Sequence, residues 1–250
     1  MADRPVVFLD LDDTLFSSLR KLGPDGESFE PVAYDRGGAA LSYMAPRQRA
    51  WFDWLRETTT IVPTTGRNLD AFRRVHLPFD GQAILSHGGL IISPDGIPDS
   101  SWHKRMSDAC LLYRATLNEL CNKCLDLARD MRCDVRGRVI ADAGIDLYCS
   151  IKHNMEDVQA LALLAAEVRR IAPEDWTVHL NDNNMAIMPP AVSKADAVQH
   201  VLEHLPYQPP FVVGIGDSVS DLPFLAKADL AVLPRESQAI RKVIESCSDG

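Results

Sequence analysis

The sequence lacks long apolar runs and any excess of positive charge. No apolar stretch approaches the ~20 residues that a helix needs to cross a bilayer, and no signal peptide is visible at the start. The 26 basic side chains are outnumbered by 35 acidic ones, and the net charge is −9. This balance argues against a polynucleotide or an anionic membrane as the main partner. We therefore expect a cytoplasmic protein whose partner is neither a nucleic acid nor a membrane.

The spacing of the cysteines does not indicate a metal site. The six cysteines include one closely spaced pair, Cys121 and Cys124, and no second pair at metal-ligand spacing. Because cysteine packs well as a small hydrophobic residue, we interpret this group as core residues of a helix rather than as a zinc or redox site. The predicted apolar face of that helix consists of Cys110, Leu117, Leu120, Cys121, Cys124 and Leu127.

Strands and helices alternate near both ends of the chain. The 250 residues, of which 46% are apolar and 24% charged, suffice for one large domain or for a domain with an insertion. Strand–helix alternation predicts an α/β fold with a doubly wound, Rossmann-like parallel sheet. The predicted strands are Val6–Asp10, Thr59–Pro63, Ala83–Ser86, Phe211–Gly216 and Asp229–Leu233. A helix is expected from Pro46, with an apolar stripe formed by Ala50, Trp51, Trp54 and Leu55.

The middle of the chain has a different pattern. A long helix is predicted over Met106–Met131, and it is followed by two hairpins that flank a second helix. This block predicts a small α+β module inserted into the parallel-sheet domain. We place the core domain at residues 1–92 and 189–250 and the inserted module at residues 93–188.

Chemistry-bearing residues recur at the ends of predicted strands and the starts of predicted helices. Open α/β sheets bind ligands at the carboxyl ends of their strands. Carboxylates crowded there repel one another unless a cation lies between them, and oxygen ligands suit Mg²⁺. A hydroxyl before a helix start and a lysine in a first helical turn both suit an anion such as phosphate. The four groups are Asp10 with Asp12, Thr65-Gly66-Arg67, Lys194, and Asp217 with Asp221.

In their order and separation, these four motifs resemble those of the haloacid dehalogenase superfamily of phosphohydrolases. The motifs are Asp10-Leu11-Asp12-Asp13-Thr14, Thr65 before Gly66-Arg67, Lys194, and Gly216-Asp217-Ser218-Val219-Ser220-Asp221. The inserted module is similar to the large α/β cap of the Cof, sucrose-phosphatase and mannosyl-3-phosphoglycerate phosphatase groups. The resemblance implies a catalytic core, residues 1–92 and 189–250, with a cap domain at residues 93–188.

The resemblance also implies a reaction. Asp10 would be the nucleophile that forms an aspartyl-phosphate, and Asp12 would be the general acid and base. Thr65 and Lys194 would hold phosphoryl oxygens. The expected enzyme is a phosphoric monoester hydrolase that acts on a small phosphorylated metabolite, a sugar phosphate or a phosphoglycerate-type monoester.

A magnesium ion and a substrate site follow from the same resemblance. Mg²⁺ would be held by the Asp10 carboxylate, the Asp12 backbone carbonyl and Asp217, with Asp221 acting through a bound water. Cap residues would set specificity, and the candidates are the polar segments 181–184 and 102–105, which also fit a hairpin turn and a solvated helix start. The predicted substrate-binding residues are Thr65, Gly66, Arg67, Lys194 and Asn184.

Several alternatives stay open. A phosphosugar mutase of the phosphomannomutase type carries the same motifs, and a non-catalytic phosphate-binding protein is the alternative outside enzymes. Related chains often have Asn where His87 and Ser220 stand here, so the role of His87 is undetermined. The segment Ser17–Ala45 is predicted to contain a hairpin, which could be a flap over the site or a passive surface excursion.

Overall fold

The computed structural model describes residues 4–23 and 28–248. The helices are α1 (Leu19–Leu22), α2 (Pro46–Thr58), α3 (Leu69–Phe72), α4 (Ser100–Asp130), α5 (Val158–Ile171), α6 (Lys194–His204), α7 (Leu222–Leu225) and α8 (Gln238–Ser248). The strands are β1 (Val6–Leu9), β2 (Glu30–Tyr34), β3 (Ala40–Met44), β4 (Thr60–Pro63), β5 (Ala83–Leu85), β6 (Leu90–Ile92), β7 (Val135–Asp142), β8 (Ile145–His153), β9 (Thr177–Asn181), β10 (Asn184–Met188), β11 (Val212–Ile215) and β12 (Leu230–Val232).

The chain divides into two compact units. The first unit comprises the chain up to Asp99 and again from Lys194 onward, and the second unit is Ser100–Ser193. Among the helices of the described ranges, none is both long enough and apolar enough to cross a membrane.

The first unit is built on a parallel sheet with the strand order β12-β11-β1-β4. A parallel bridge between Thr64 and Ile84 continues this sheet towards β5. β1 is completely buried, as its uninterrupted apolar sequence predicts for a strand covered on both faces. Because the chain adds β4 on one side of β1 and β11 on the other, the sheet is wound in both directions. The predicted doubly wound α/β fold is confirmed.

The strands β2 and β3 form the predicted antiparallel hairpin. Val32, Ala33 and Met44 on this hairpin have no or almost no solvent exposure and pack in the same core cluster as Phe16 and Phe52. The hairpin is therefore a packed part of the first unit and not a passive surface excursion. Residues 24–27 of the predicted segment Ser17–Ala45 lie outside the described residues.

The second unit is an antiparallel sheet with α4 and α5 on its apolar face. Its strand order is β7-β8-β10-β9. The helices and strands share one buried cluster, in which Leu161 and Leu164 from α5 meet Ile151 and Ile187 from the sheet. Alternation of apolar and polar residues along these strands, expected for a sheet with one packed face, produces this arrangement.

Two predicted details of the helices are wrong. α4 begins at Ser100 rather than at Met106, so Trp102 is not part of a solvated helix start but is fully buried, with the Arg105 guanidinium 4.9 Å from its ring centroid. On α2, Trp54 is 58% exposed, whereas Phe52 is buried against the ring of Phe79. Tertiary packing of Phe52 selects a face of α2 that its sequence periodicity alone does not single out.

The cysteines of α4 are core residues, as predicted, but one of them forms a bond that the sequence did not predict. Cys121 of α4 and Cys149 of β8 form a disulfide, while Cys110 and Cys124 are buried thiols. Burial raises the pKa of the Cys110 thiol to about 11 and that of Cys124 to about 12, so neither is a reactive thiolate near neutral pH.

Candidate active site

A tight turn after β1 turns Asp10 and Thr14 towards each other. The Asp10 N–H donates to the carbonyl of Ile215 (2.9 Å), which continues the pairing of β1 with β11. The N–H groups of Leu15 and Phe16 both donate to the carbonyl of Leu11, and this closes a single turn. Thr14 Oγ1 then donates to Asp10 Oδ2 at 3.2 Å. The carboxylate of Asp10 is thereby fixed at the carboxyl edge of the sheet.

Three buried carboxylates meet at this edge. Ligand oxygens of Asp10, Asp217 and Asp221 all lie within 4.8 Å of one another, although the first follows β1 and the others follow β11. Thr14 Oγ1 also lies 3.5 Å from Asp217 Oδ1. A Cβ atom on Gly216 would lie 2.7 Å from Asp221 Cβ, so only glycine at that position permits this approach. The chain thus concentrates oxygen ligands at the edge where the two halves of the sheet meet.

Lys194 is the cation that contacts this trio. Its Nζ donates to Asp10 Oδ1 at 2.8 Å and to Asp221 Oδ1 at 2.7 Å, and the lysine is only 8% exposed. The ammonium also lies 5.6 Å from the ring centroid of Phe224. Lys194 is the first residue of α6, as predicted, so the helix starts at the site.

The protonation equilibria of the site reflect burial and repulsion. Burial raises the pKa of Asp10 well above its ordinary value, against the opposing effect of Lys194. Burial, with the neighbouring carboxylates of Asp221 and Asp13, raises the pKa of Asp217 to about 7. Burial would also raise the pKa of Asp221, but the Lys194 ammonium outweighs it and the pKa lies below its ordinary value.

Lys194 itself is held in its charged form. Burial alone would lower its pKa, but the carboxylates of Asp10 and Asp221 raise the pKa above the ordinary value of lysine. One ammonium among three carboxylates leaves net negative charge at the site. A divalent cation would complete the neutralisation and lower the raised carboxyl pKa values.

Ser218 fixes the third carboxylate, and sequence reasoning missed it. Its backbone N–H and its Oγ both donate to Asp221 Oδ2, at 3.0 and 2.8 Å. Ser220 Oγ lies 2.8 Å from Ser218 Oγ and supports it from the same turn. The spacing of Ser218 and Asp221 is that of a capping box, and this signal could have identified the serine.

The Thr65 loop reaches the site through Arg67. Thr65 is buried, its N–H donates to the carbonyl of Ile84, and its Oγ1 accepts from the Arg67 N–H (3.1 Å). The Arg67 guanidinium donates to both oxygens of Asp12, each at 2.7 Å. The side chain of Arg67, which was predicted to bind substrate, therefore contacts Asp12, the predicted acid–base residue.

His87 packs on this loop. A Cβ atom on Gly66 would lie 2.4 Å from His87 Cε1, so the imidazole lies directly against the Gly66 backbone. Ser86 and His87 both have left-handed backbone angles, with φ of 52° and 57°. Consecutive non-glycine residues in this region are strained, and the packing of the imidazole against glycine accompanies that strain.

Asn184 is the predicted site residue that lies in the second unit. It begins β10, and its Oδ1 accepts from Ser150 Oγ at 3.3 Å. The polar segment 181–184 is the turn between β9 and β10, with Asp182 in the left-handed region. The turn interpretation is confirmed, and the role of Asn184 in substrate binding stays a prediction.

Two further contacts near the site were not predicted from the sequence. Lys21 Nζ lies 2.6 Å from Asp13 Oδ2, next to the carboxylate trio. Ser42 Oγ, on the hairpin, accepts from Arg67 at 3.3 Å. Lys21 lies eight residues after Asp13 and Ser42 lies 25 residues before Arg67, and no sequence pattern connects either residue to its partner.

The chain thus combines a doubly wound sheet, three acids at the carboxyl edge of that sheet and an inserted α+β unit. Residues 147–246 match the family model described as haloacid dehalogenase-like hydrolase. The matched segment includes Lys194, Asp217 and Asp221. No curated protein sequence matches the chain.

The fold is shared with solved structures of low sequence identity. The C-terminal domain of trehalose-6-phosphate phosphatase from C. albicans superposes with a TM-score of 0.57 at 13% identity, over 89% of this chain and 73% of that one. Sucrose-phosphatase from Synechocystis gives 0.52 at 13% identity over 97% of each chain. A haloacid dehalogenase-like hydrolase from Bacteroides thetaiotaomicron gives 0.51 at 14% identity, over 98% and 99%.

The family match over residues 147–246 and the shared fold both agree with a similarity to haloacid dehalogenase-like hydrolases. The predicted resemblance to hydrolases of this superfamily is therefore confirmed.

Proposed function

We propose that the chain is a Mg²⁺-dependent phosphatase that hydrolyses a small phosphorylated metabolite through an aspartyl-phosphate on Asp10. The observation that carries this proposal is the convergence of Asp10, Asp217 and Asp221, whose ligand oxygens lie within 4.8 Å of one another around the Lys194 ammonium. The substrate class that we propose is a sugar phosphate or a phosphoglycerate-type monoester.

The donor set fits a magnesium ion. It consists of carboxylate oxygens alone, which is the chemistry that Mg²⁺ prefers. The pKa values of Asp10 and Asp217 are raised mainly by burial and further by the neighbouring carboxylates, and a bound cation would oppose both effects. Asp10, Asp217 and the backbone carbonyl of Asp12 would hold the ion, and Asp221 would act through a water molecule. When bound, the ion supplies Lewis-acid stabilisation of the phosphoryl oxygens.

Asp10 and Asp12 would divide the covalent work between them. An Asp10 carboxylate oxygen forms a bond to phosphorus while the bond from phosphorus to the ester oxygen breaks, and Asp12 gives its proton to the leaving alcohol. Asp12 then takes a proton from water, whose oxygen bonds to phosphorus while the bond between phosphorus and the Asp10 oxygen breaks. Inorganic phosphate leaves, and the Asp10 carboxylate is regenerated.

Lys194 and Thr65 would hold the transferring group. Phosphoryl transfer depends mainly on positioning and on electrostatic stabilisation of the equatorial oxygens. The buried ammonium of Lys194 is fixed by Asp10 and Asp221 before any substrate arrives, so little reorganisation accompanies the reaction. Thr65 contributes a buried hydroxyl at the end of the neighbouring strand.

The proposed substrate class rests on chemistry and analogy. Two proteins of the same fold are named for phosphatase action on trehalose 6-phosphate and sucrose phosphate, so sugar phosphates head the list of esters to examine. The net charge of −9 argues against a phosphorylated polynucleotide.

A phosphate-release screen tests the proposal. Sugar phosphates, phosphoglycerates and nucleotides are incubated with the protein in Mg²⁺ and in chelator, beside the variants Asp10→Asn and Asp53→Asn. Asp53 is an exposed acid on α2, so its variant is the matched control. We expect Mg²⁺-dependent release that Asp10→Asn lowers by about three orders of magnitude or more and Asp53→Asn leaves unchanged.

Two results would contradict the proposal. Undiminished release by Asp10→Asn would exclude this nucleophile. Isomerisation of a phosphosugar that needs a bisphosphate activator and releases no phosphate would indicate a mutase instead.

A further inference from the structure

We propose that Arg67 is a positioning residue that holds Asp12 in place for proton transfer, backed by Ser42 of the β2–β3 hairpin and by Phe16. This role deepens the proposed function and rests on it, because it assigns to Asp12 the exchange of a proton with the leaving alcohol and with water.

The contact between Arg67 and Asp12 is bidentate. Nε of the guanidinium donates to Asp12 Oδ2 and Nη2 donates to Asp12 Oδ1, each at 2.7 Å. Two parallel hydrogen bonds fix both the distance and the plane of a carboxylate, which a single bond does not. Because a carboxylate has about four lone-pair sites, a bidentate partner leaves one on each oxygen for a proton. Asp12 is oriented and still able to react.

Exposure separates the roles of the two side chains. The Arg67 side chain is 14% exposed and that of Asp12 is 45% exposed. Asp12 therefore faces the open side of the pair, whereas Arg67 lies behind it. A guanidinium shielded in this way is suited to support Asp12 rather than to contact a phosphate directly.

The guanidinium is itself held in place. Ser42 Oγ accepts a hydrogen bond from Arg67 Nη2 at 3.3 Å, and the Phe16 ring centroid lies 5.2 Å from Arg67 Cζ. Phe16 is fully buried and Ser42 is 7% exposed, so the support is part of the packed core. The hairpin thereby contributes to the site through Arg67.

Lys194 and Arg67 serve different acids. Lys194 contacts Asp10 and Asp221, and Arg67 contacts Asp12. Each proposed catalytic carboxylate thus has its own cation, and loss of one cation should disturb one chemical step more than the other. This separation makes the role of Arg67 measurable.

The test compares two esters with different leaving groups. An aryl phosphate such as p-nitrophenyl phosphate expels a stable anion that needs no proton, whereas an alkyl phosphate such as glycerol 3-phosphate needs one. For the Arg67→Met variant we expect kcat/KM to fall about tenfold to a hundredfold more on the alkyl ester than on the aryl ester, since general acid–base catalysis contributes about 10²–10⁴.

A second arm links the effect to Asp12. On the alkyl ester, Arg67→Met should lower kcat/KM little further once Asp12 is replaced by alanine, because a positioning residue has nothing left to position. Arg67→Lys should recover part of the loss, since lysine keeps the charge without the bidentate geometry. Ser42→Ala should also lower kcat/KM more on the alkyl ester than on the aryl ester, by a smaller factor than Arg67→Met.

The control variant is Arg36→Met. It removes an exposed arginine of the first unit, which pairs with Asp70, and it should change kcat/KM on neither ester. Equal losses on both esters, or losses that multiply with Asp12→Ala, would overturn the positioning role while the phosphatase proposal stands. Wild-type protein that releases phosphate from no ester in the screen would overturn the proposed function and this role with it.

Discussion

The Lys194 ammonium lies 2.8 Å from a carboxylate oxygen of Asp10, although 184 residues separate them in sequence. Both side chains are almost fully removed from solvent. A buried ion pair of this kind is not a source of stability in itself, because each charge has lost its hydration. Removal of only one of the two charges is strongly destabilising, because the other charge then stays buried without its partner.

Lys194→Met should therefore destabilise the protein strongly. The variant leaves Asp10 and Asp221 as buried carboxylates without their cation, and the expected loss is about 3–5 kcal/mol in the free energy of unfolding near pH 8. Urea-induced unfolding measures this loss. Lys123→Met, which removes an exposed lysine paired with Glu119 on α4, is the control and should cost about 0.5 kcal/mol or less. Equal losses in the two variants would show that the Lys194 contacts are not those of a buried pair.

The carboxyl edge of the sheet was predictable from sequence because local patterns determine it. An apolar run followed by acids, as at Asp10, fixes both a buried strand and the position of its loop. The same holds for Asp217 after β11 and for Lys194 at the start of α6. Parallel strands then bring these ends together without further information.

Contacts that depend on tertiary packing were not predictable. Ser42 and Lys21 belong to a segment whose path over the first unit no periodicity describes, so their contacts with Arg67 and Asp13 emerged only from the structure. The buried position of Trp102 depends on where α4 begins, and helix ends are poorly marked in sequence without a capping signal.

Asp217 should make stability depend on pH with a definite sign. Its pKa of about 7 in the folded protein exceeds the value of about 3.9 for an unfolded aspartate. Between these pH values the folded state binds more protons, so the contribution of Asp217 to the free energy of unfolding falls as pH rises from about 4 to about 7. Relative to wild type without Mg²⁺, Asp217→Asn should gain stability over that range and level off above it. A constant difference across the range would contradict the raised pKa.

Stabilisation by Mg²⁺ should increase as pH rises, opposite to the contribution of Asp217 without the ion. Because the ligand carboxylates must be deprotonated, the increase in Tm caused by Mg²⁺ should be larger at pH 8 than at pH 6. Asp217→Asn should lose most of that increase at pH 8. Differential scanning calorimetry with Mg²⁺ and with chelator measures it, and an equal increase in wild type and variant would place the ion elsewhere.

Gly66→Ala should disturb the loop that carries Thr65 and Arg67. The added Cβ would lie 2.4 Å from the His87 ring, so the imidazole or the loop must move, at about 1–3 kcal/mol. Thermal unfolding and phosphate release should both decline. If the clash with the ring is the cause, His87→Ala in the same chain restores most of the stability. Gly37→Ala in the exposed hairpin turn is the control, since the contact there is only with a surface Asp35 oxygen.

Covalent trapping at Asp10 tests the central claim most directly. The protein is mixed with a substrate found in the screen and Mg²⁺, quenched in acid within a turnover, and digested for peptide mass spectrometry. We predict that the peptide containing Asp10 gains the mass of one phosphoryl group, and that chelator or the Asp10→Asn variant abolishes this gain. Rapid turnover with no phosphoryl group on Asp10 at any quench time, together with an active Asp10→Asn variant, would contradict the account.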